Sequence, residues 1–506
     1  MKRIFFLVIV SFIVSNIQAQ SIIDGLRYST DGLYGTARYA SMSGAFGALG
    51  GDLTAMTSNP AGSAVFLQST ASVSLSLLDK KNQTSYFNTN TSNFSSDVSL
   101  NQAGIVFVFD GYNSEAAFKK FTMGLSYETT NNFNNEFYAQ GQSGTSIDQY
   151  FLDYAQGVPL DLLVLQSGES ISSLYQFLGE NQGFRVQQAF LGYQSFIIDP
   201  SDPEDLDNTS YISNIAPGTF NQEYSFISSG YNAKYTINLG AQVNNLYFGL
   251  NLNSHIIDYR ESTFFFESNS NSGSLVNQVG FQNNLAVLGS GFSAQFGAIA
   301  KVSDQLRLGL AYDTPTWYTI SEETTQELDT RRTQNGENIT ERIRPNIINI
   351  YQDYTLRTPG KLVGSMAYLF GNQGLISFDY SYKDYSNIQF RPLNISAFNT
   401  QNTIIESSLK GSSSFKLGGE YRYNQASFRG GFKYEESPYE DTEILGDLTG
   451  FSLGLGYNFG SFRVDAAYAR TEQDRNNQLF QGTSFTNAAG INSTNNFYTL
   501  TANFVF

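Results

Sequence analysis

Cysteine is absent from all 506 residues. That single absence excludes disulfides, a thiolate nucleophile, a lipid-anchored N-terminal cysteine and a Cys-ligated metal. Histidine is nearly absent too. His255 stands alone, which argues against a Ser-His-Asp arrangement or a His-rich metal site, and it reads as an ordinary polar residue in a strand-like run. Charged residues make up only 15%, against about 25% in an ordinary soluble domain. What charge there is leans acidic, with a net of −16. The clustered Lys and Arg that phosphate contacts require are missing, so nucleic acid is not an expected partner. Paired carboxylates such as Glu435-Glu436 and Glu440-Asp441 have no histidine or nucleophile beside them, and "SDPEDLDN" (201–208) reads as a solvated acidic loop. No catalytic residue, metal ligand or cofactor site is expected, and the chain is not read as an enzyme.

Long apolar runs are also missing, save one. Met1-Lys2-Arg3 is a basic start, Ile4 to Val14 is almost unbroken hydrocarbon, and Ala19 is suited to signal peptidase; residues 1–19 read as a signal peptide, with the exported chain beginning at Gln20 or Ser21. No other stretch approaches the roughly 18 apolar residues of a membrane-spanning helix.

The chain is instead rich in aromatics and glycine, with 42 Phe, 32 Tyr and 45 Gly. An exported sequence with that composition and little charge fits a transmembrane β-barrel, whose strands alternate a lipid face with a polar lumen. Period-2 alternation supports this. In "LISFDYSYKDYSNIQF", Ile376, Phe378, Tyr380 and Tyr382 share one face, while Ser377, Asp379, Ser381 and Lys383 share the other. In "FSLGLGYNFG", Phe451, Leu453, Leu455, Tyr457 and Phe459 oppose Ser452, Gly454, Gly456 and Asn458. The same test marks candidate strands near 71–78, 102–109, 120–128, 226–240, 245–257, 289–301, 306–313, 354–370, 375–390, 413–424, 427–436, 449–460, 461–471 and 495–506. Tight turns such as "VNN", "SDQ", "GNQG" and "NQA" alternate with longer Asn/Ser/Thr/Glu-rich connections, which places short turns in the periplasm and long loops outside. The fold expected is all-β: a 14-stranded antiparallel transmembrane barrel over 71–506, integral to the outer membrane of a Gram-negative cell.

Residues 20–70 do not alternate. "YGTARYASMSGAFGALGGDLTAMTSNPAG" interleaves small residues with a few apolar ones. Its glycines suggest a phosphate loop only superficially, because no strand precedes them and no Gly-Lys-Ser/Thr follows. A linker would be more polar. The remaining reading is a compact plug inside the barrel, with Asn59-Pro60 as a defined turn: Pro fixes φ, and Asn can bond its own backbone.

These residues carry a resemblance. "GTARYASMSGAFGALGGDLTAMTSNPAG", "GLAYDTPTWY" (309–318), "RTPGKLVGSMAYLF" with "ISFDYSYKDYS", and "FKLGGEYRYNQASFRGGFKYEESP" together resemble the FadL family of outer-membrane transporters, in a Bacteroidota-like form. The resemblance implies a fourteen-stranded barrel with an N-terminal hatch. It also implies hydrophobic substrates that land on an outer groove, enter an apolar pocket and leave sideways through the wall. Gly50, Asn59, Pro60 and Ala61 fall on the hatch motif.

The longest connection, about 129–225, shows apolar residues at helical spacing: Ile147, Tyr150, Phe151 and Tyr154; Ile171, Leu174, Tyr175 and Leu178; Val186, Ala189, Phe190 and Tyr193. Three short amphipathic helices follow from that, with the apolar "VPLDLLVL" between the first two. Such a loop folds onto its own rim, docks a partner, or forms a groove. Leu174, Tyr175, Leu178 and Phe190 are the expected hydrophobic loop surface. The function expected is passive uptake of hydrophobic small molecules or lipids such as long-chain fatty acids, in contact with the outer membrane and its lipopolysaccharide. The alternative is a non-transporting barrel that serves as subunit or shuttle of an outer-membrane secretion complex, as the resemblance to the PorV-like branch implies. An unspecific water-filled porin is a third reading.

Overall fold

The computed structural model describes residues 21–111, 117–334 and 336–506; the expected signal peptide lies outside the described residues. One antiparallel sheet of twenty segments forms fourteen wall strands, some of them interrupted. They are β1 (Thr70–Tyr86), β2 (Thr89–Asp110), β3 (Phe118–Asn132, resuming at Asn135–Ser143), β4 (Phe220–Val243) and β5 (Leu246–Ser268). Next come β6 (Val276–Lys301), β7 (Leu306–Asp313 and Trp317–Gln334), β8 (Glu337–Ile343, continuing in short segments to Lys361–Leu369) and β9 (Gly374–Asp384 and Gln389–Arg391). The last are β10 (Gly411–Tyr423), β11 (Ala426–Glu435), β12 (Leu448–Asn458), β13 (Phe462–Gln478) and β14 (Ala488–Val505). β1 pairs with β14 from Thr70↔Val505 to Ser85↔Gly490, so the sheet closes on itself and its edges are covered. Each strand matches one candidate read from the sequence.

Alternation sets the two faces. On β12, Phe451, Leu453, Leu455 and Tyr457 are exposed on the lipid side, whereas Ser452 is buried toward the lumen. Aromatic pairs gather at two levels, as bilayer interfaces favour: Phe459–Phe462 at 4.6 Å beside a short turn, and Tyr127–Tyr235 at 5.2 Å and Tyr468–Tyr498 at 5.3 Å further out.

The structure departs from the sequence reading beyond the membrane. Several expected loops are strands: β1 and β2 continue to a two-residue turn at Phe87-Asn88, both with positive φ, as tight hairpins require. β5, β6, β7, β8, β13 and β14 extend likewise. In the β1–β2 hairpin both faces are polar, as in "TNTSNFSSD", so the alternation that betrays a strand in lipid is gone while the backbone ladder persists. The long connection is correspondingly shorter, from 144 to 219, because β3 runs to Ser143 and β4 starts at Phe220.

That connection forms a cap with helices at all three expected places: α4 (Asp148–Ala155), α5 (Ile171–Asn181) and α6 (Phe184–Gln194). Their apolar faces share one core with Phe265, Phe281, Leu328, Phe480 and Phe485 at the barrel mouth. The expected hydrophobic loop surface is corrected by this packing. Leu174, Tyr175, Leu178 and Phe190 are 3%, 0%, 0% and 0% exposed, and "VPLDLLVL" buries Val158, Leu160 and Leu163 in the same core. A loop with this much hydrocarbon removes it from water by folding onto its own rim. Polar ties fix the seat: Gln326 of β7 accepts from Tyr175 Oη (2.9 Å) and Gln188 Nε2 (2.7 Å), and Thr330 donates to the Ser195 carbonyl (2.6 Å).

At the root of the cap, in the extracellular extension of β5, Glu267 accepts from Ser146 Oγ (2.5 Å), Gln222 Nε2 (2.7 Å) and the Ile147 amide (3.1 Å). Burial nevertheless outweighs these donors and pushes its carboxyl up to about 7. The folded cap therefore holds a proton that the unfolded chain would release near pH 4.5. The resulting stabilisation is complete below that value and is lost as pH rises through 7. We predict that protease resistance of the cap falls between pH 4.5 and 7 by up to about 3 kcal/mol of local stability, and that Glu267→Gln abolishes this slope. A slope unchanged in the variant refutes the assignment.

Candidate functional site

The lumen is wide and is filled from the N-terminal side by residues 21–66. This plug contains α1 (Ile22–Arg27), α2 (Ala37–Ala40), α3 (Ala55–Ser58) and a 3-10 turn, Pro60–Val65. Within it Tyr39, Met42, Phe46 and Leu49 pack together in a small apolar cluster that also reaches the wall at Leu78, Ala367 and Phe497. What holds it is the pairing of its main chain with side chains of the wall: Asn251 Nδ2 donates to Met56 O (2.8 Å), Gln295 Nε2 to Thr57 O (3.0 Å), Asn238 Nδ2 to Pro60 O (3.0 Å) and Arg307 Nη1 to Leu49 O (2.8 Å). Asp379 Oδ2 accepts the amides of Phe46 (2.9 Å) and Gly47 (2.8 Å). For a backbone to come this close to a sheet, both sides need small residues. The small-residue composition of 36–66 supplies one side, and wall glycines supply the other: a Cβ on Gly249 would lie 2.1 Å from Pro60 C, and one on Gly297 2.0 Å from Asn59 Oδ1.

The motif residues sit at this contact. Asn59 Oδ1 caps the 3-10 turn by accepting from Ala61 N (3.1 Å), while Nδ2 donates to Gly47 O (2.7 Å) and Ala298 O (3.2 Å). One side chain thus both makes the turn and ties it to the wall. Pro60 opens the turn, where its missing N–H costs nothing; Ala61 is fully buried. Gly50 has φ +65°, and a Cβ there would meet Val65 Cβ at 2.7 Å.

Buried ions add a second anchor. Arg38 of α2 pairs with Glu420 at 2.8 Å; Arg429 bridges Glu420 (2.6 Å) and Asp465 (2.8 Å), and Arg463 closes on Asp465 at 2.7 Å. Every charge in this five-residue cluster has a partner, which is the condition for burying it.

Above the plug lies an aromatic tier. Leu26 and Tyr28 meet Phe133, Tyr259, Tyr318, Tyr354, Phe390 and Phe398 in one cluster; Phe398 belongs to α7 (Ser396–Ser408), an external helix that the sequence pattern did not reveal. Arg27 lies over the Tyr259 ring at 4.0 Å and pairs with Glu261 at 3.3 Å. His255 bonds Ser293 Oγ through Nε2 (2.8 Å) and meets the Tyr318 ring edge-on, the role of an ordinary polar wall residue.

Higher still, two cations face inward. Arg475 of β13 places its guanidinium 5.6 Å from the Phe137 centroid, and its Nε and Nη2 are buried without a hydrogen-bond partner. Lys80 of β1 has Arg475 as its charged neighbour. Arg475, Thr84 and Ile491 line a cleft of about 830 Å³ that opens at the outer rim, between the β1–β2 and β13–β14 hairpins and the segment around Glu443. The sequence reading passed over both cations. Strand parity was the available signal, since both stand on the inward-facing rows.

The wall also has a seam. The ladder between β2 and β3 runs from Asp110↔Lys120 to Gln102↔Glu128 and ends there. Beyond it, β2 pairs with β1 and β3 with β4, and side chains bridge the two: Thr129 Oγ1 to Leu100 O (3.0 Å) and Asn132 Nδ2 to Asp97 Oδ2 (2.7 Å).

The family profile described as "Outer membrane protein transport protein (OMPP1/FadL/TodX)" matches residues 228–506, more than half of the chain. A FadL homologue from Pseudomonas aeruginosa is similar in fold at 13% identity and TM-score 0.55, over 94% of this chain and all of that one. The Pseudomonas putida toluene transporter TodX is similar at 12% identity and TM-score 0.52, over 94% and 100%. Among curated proteins none matches the chain.

The close approach at Gly297 is testable. Gly297→Val forces Asn59 and Pro60 off the wall, an overpacking cost of about 1–3 kcal/mol. The expected outcome is a folded barrel whose residues 36–66 become protease-sensitive and which conducts ions in planar bilayers. Gly364→Ala, where a Cβ meets nothing within 4 Å, is the silent control. Equal protease resistance of the two variants counts against the seat.

Proposed function

The chain belongs to the OMPP1/FadL/TodX family of outer-membrane transport proteins, an integral outer-membrane barrel for hydrophobic compounds, and on that premise we propose that its substrates are long-chain amphiphiles with an anionic head, such as long-chain fatty acids. Uptake is passive. The observation that carries the reading is the Arg475 guanidinium, buried with two nitrogens unpaired, on a residue that lines an open cleft. A buried donor without a partner is costly, and a carboxylate supplies both the missing acceptors and the opposite charge. Lys80 of β1 stands on a neighbouring inward row, with Arg475 as its charged neighbour. The aromatic tier around Tyr259 and Phe133 is packed closed, and an alkyl chain would have to part these rings to bury itself among them. A neutral hydrocarbon would leave the cations as they are, and that separates this reading from a channel for aromatic hydrocarbons.

Passage then requires the plug region to yield a path, and the seam between β2 and β3 supplies the sideways exit. A molecule that is mostly hydrocarbon gains by leaving toward the bilayer rather than into water. The alternative of a complex subunit predicts no uptake by the isolated protein.

In proteoliposomes or in an uptake-deficient strain, the wild type should transport labelled oleate. Native mass spectrometry of gently purified protein should show a bound long-chain acid. Arg475→Gln should weaken binding about ten- to hundred-fold, the scale of one lost charge-assisted hydrogen bond, and Lys80→Gln should weaken it less. Tight retention of oleate by the double variant, or wild-type preference for toluene over oleate, sinks the proposal.

A further inference from the structure

Outside the membrane the wall is not closed on every side. Up to Gln102↔Glu128, β3 occupies the outer edge of β2. Above that point β3 shifts register against β4 between Thr129 and Asn131, and its resumption at Asn135–Ser143 passes beneath the β1–β2 hairpin. The ties between the two layers come from the inward face of the hairpin. Asn82 Nδ2 donates to Asn135 Oδ1 (2.8 Å) and Glu136 O (2.6 Å), Asn93 Oδ1 accepts the Tyr138 amide (3.0 Å), and Thr91 Oγ1 donates to Tyr138 O. Nearer the tip, a Cβ on Gly141 would lie 2.8 Å from Tyr86 O. The outer edge of β2 is thereby left open.

Leu100 O, which accepts from Thr129 Oγ1 at 3.0 Å, marks which groups face that edge. Alternate residues of an antiparallel strand turn N–H and C=O to the same side, so Asn90, Ser92, Phe94, Ser96 and Val98 present theirs here while the residues between them bond β1. Among the described residues, none of these five main-chain pairs has a protein partner. Proteins blunt such an edge with lysine, proline, a bulge or brevity. Thr89–Leu100 has no Lys or Pro, its register with β1 is unbroken from Tyr86↔Thr89 to Leu75↔Leu100, and its one charge, Asp97, is bonded by Asn132. Its lipid-side row carries Phe94 and Val98, 67% and 70% exposed. Leu77 pairs with both Val98 and Tyr498, so the open edge rises outward from the upper aromatic level.

We propose that the extracellular edge of β2, Asn90 to Val98, is a docking site for an extended strand of another cell-surface protein, which takes the line that β3 vacates. A row of amides and carbonyls at strand spacing is matched in full only by an extended backbone, and the β2–β3 ladder below already sets its direction. The guest strand carries apolar side chains beside Phe94 and Val98 and small polar ones on its inner face, next to Thr91 and Asn93. A second copy does not fit. Two copies in one membrane are related by an axis along the membrane normal, which crosses their β2 strands at twice a tilt of about 35–45°, whereas paired strands differ by roughly 20–25°. Docking here is independent of transport.

The strand on the other side of β2 supplies the probe: a fluorescent peptide copying Ser76–Ser85, in which Leu77 and Lys81 stand opposite Val98 and Phe94. With the full-length protein in lipid nanodiscs it should bind saturably, and a scrambled peptide should not. On the open edge the amides of Leu77 and Lys81 turn toward β2, so N-methylation there should weaken binding about ten-fold or more, the scale of two lost hydrogen bonds. N-methylation at Leu78 and Asn82, which turn away, should leave it unchanged. Ser92→Pro removes one edge donor and spares the β1 ladder; it should weaken binding likewise, with hydrogen exchange along β1 unaltered. The methylated peptides carry the test on the wild type should that variant not assemble. No saturable binding by the wild type overturns the site, as does equal binding of the two methylated peptides or of the scrambled one. Dimerisation of the wild type that Ser92→Pro abolishes assigns the edge to a second copy and overturns the foreign strand.

Discussion

A closed sheet of fourteen strands encloses more width than its own side chains fill, and its inward rows carry amides and carboxylates that need partners. In this protein those partners are the main-chain groups of the plug. Asn238, Asn251, Gln295, Arg307 and Asp379 each bond the backbone of residues 46–60, and Asn59 and Asn101 do the same across the opposite boundaries. A buried polar group without a partner costs on the order of 1–3 kcal/mol. Wall and plug consequently satisfy each other, and the composition of both follows: amides on the wall, small residues on the plug, glycine where they touch.

This division of labour separates the lumen into levels with different mobilities. The periplasmic level is clamped by ion pairs and close approach. The aromatic level above it is held by ring packing together with the Arg27–Glu261 pair. The extracellular level is a cap whose core is continuous with the barrel mouth, so that the Arg475 cleft, rather than the cap helices, presents an open approach from outside.

What the sequence disclosed follows the same physics. Each wall strand was legible where lipid lies on one side and the lumen on the other, because only there does polarity alternate along the chain. The cap helices were legible from the spacing of residues such as Tyr150, Phe151 and Tyr154, although their burial was not, since a periodic apolar face looks the same whether it meets the rim or a ligand. Strand extensions such as Thr89–Leu100 gave no signal because both faces are wet. The seating of Asn59 and Asp379 was hidden for another reason: the bonds join residues more than 200 positions apart, and local pattern carries no trace of them.

The connection from plug to wall is short. The 3-10 turn ends at Val65 and β1 begins at Thr70, leaving a leash of a few residues. A tethered group on so short a leash sees its binding site at an effective concentration of millimolar or above. Any molecule that displaces part of the plug thus competes with a partner that never diffuses away. A stopper on such a leash would reseat once a passenger had gone, with no energy source required.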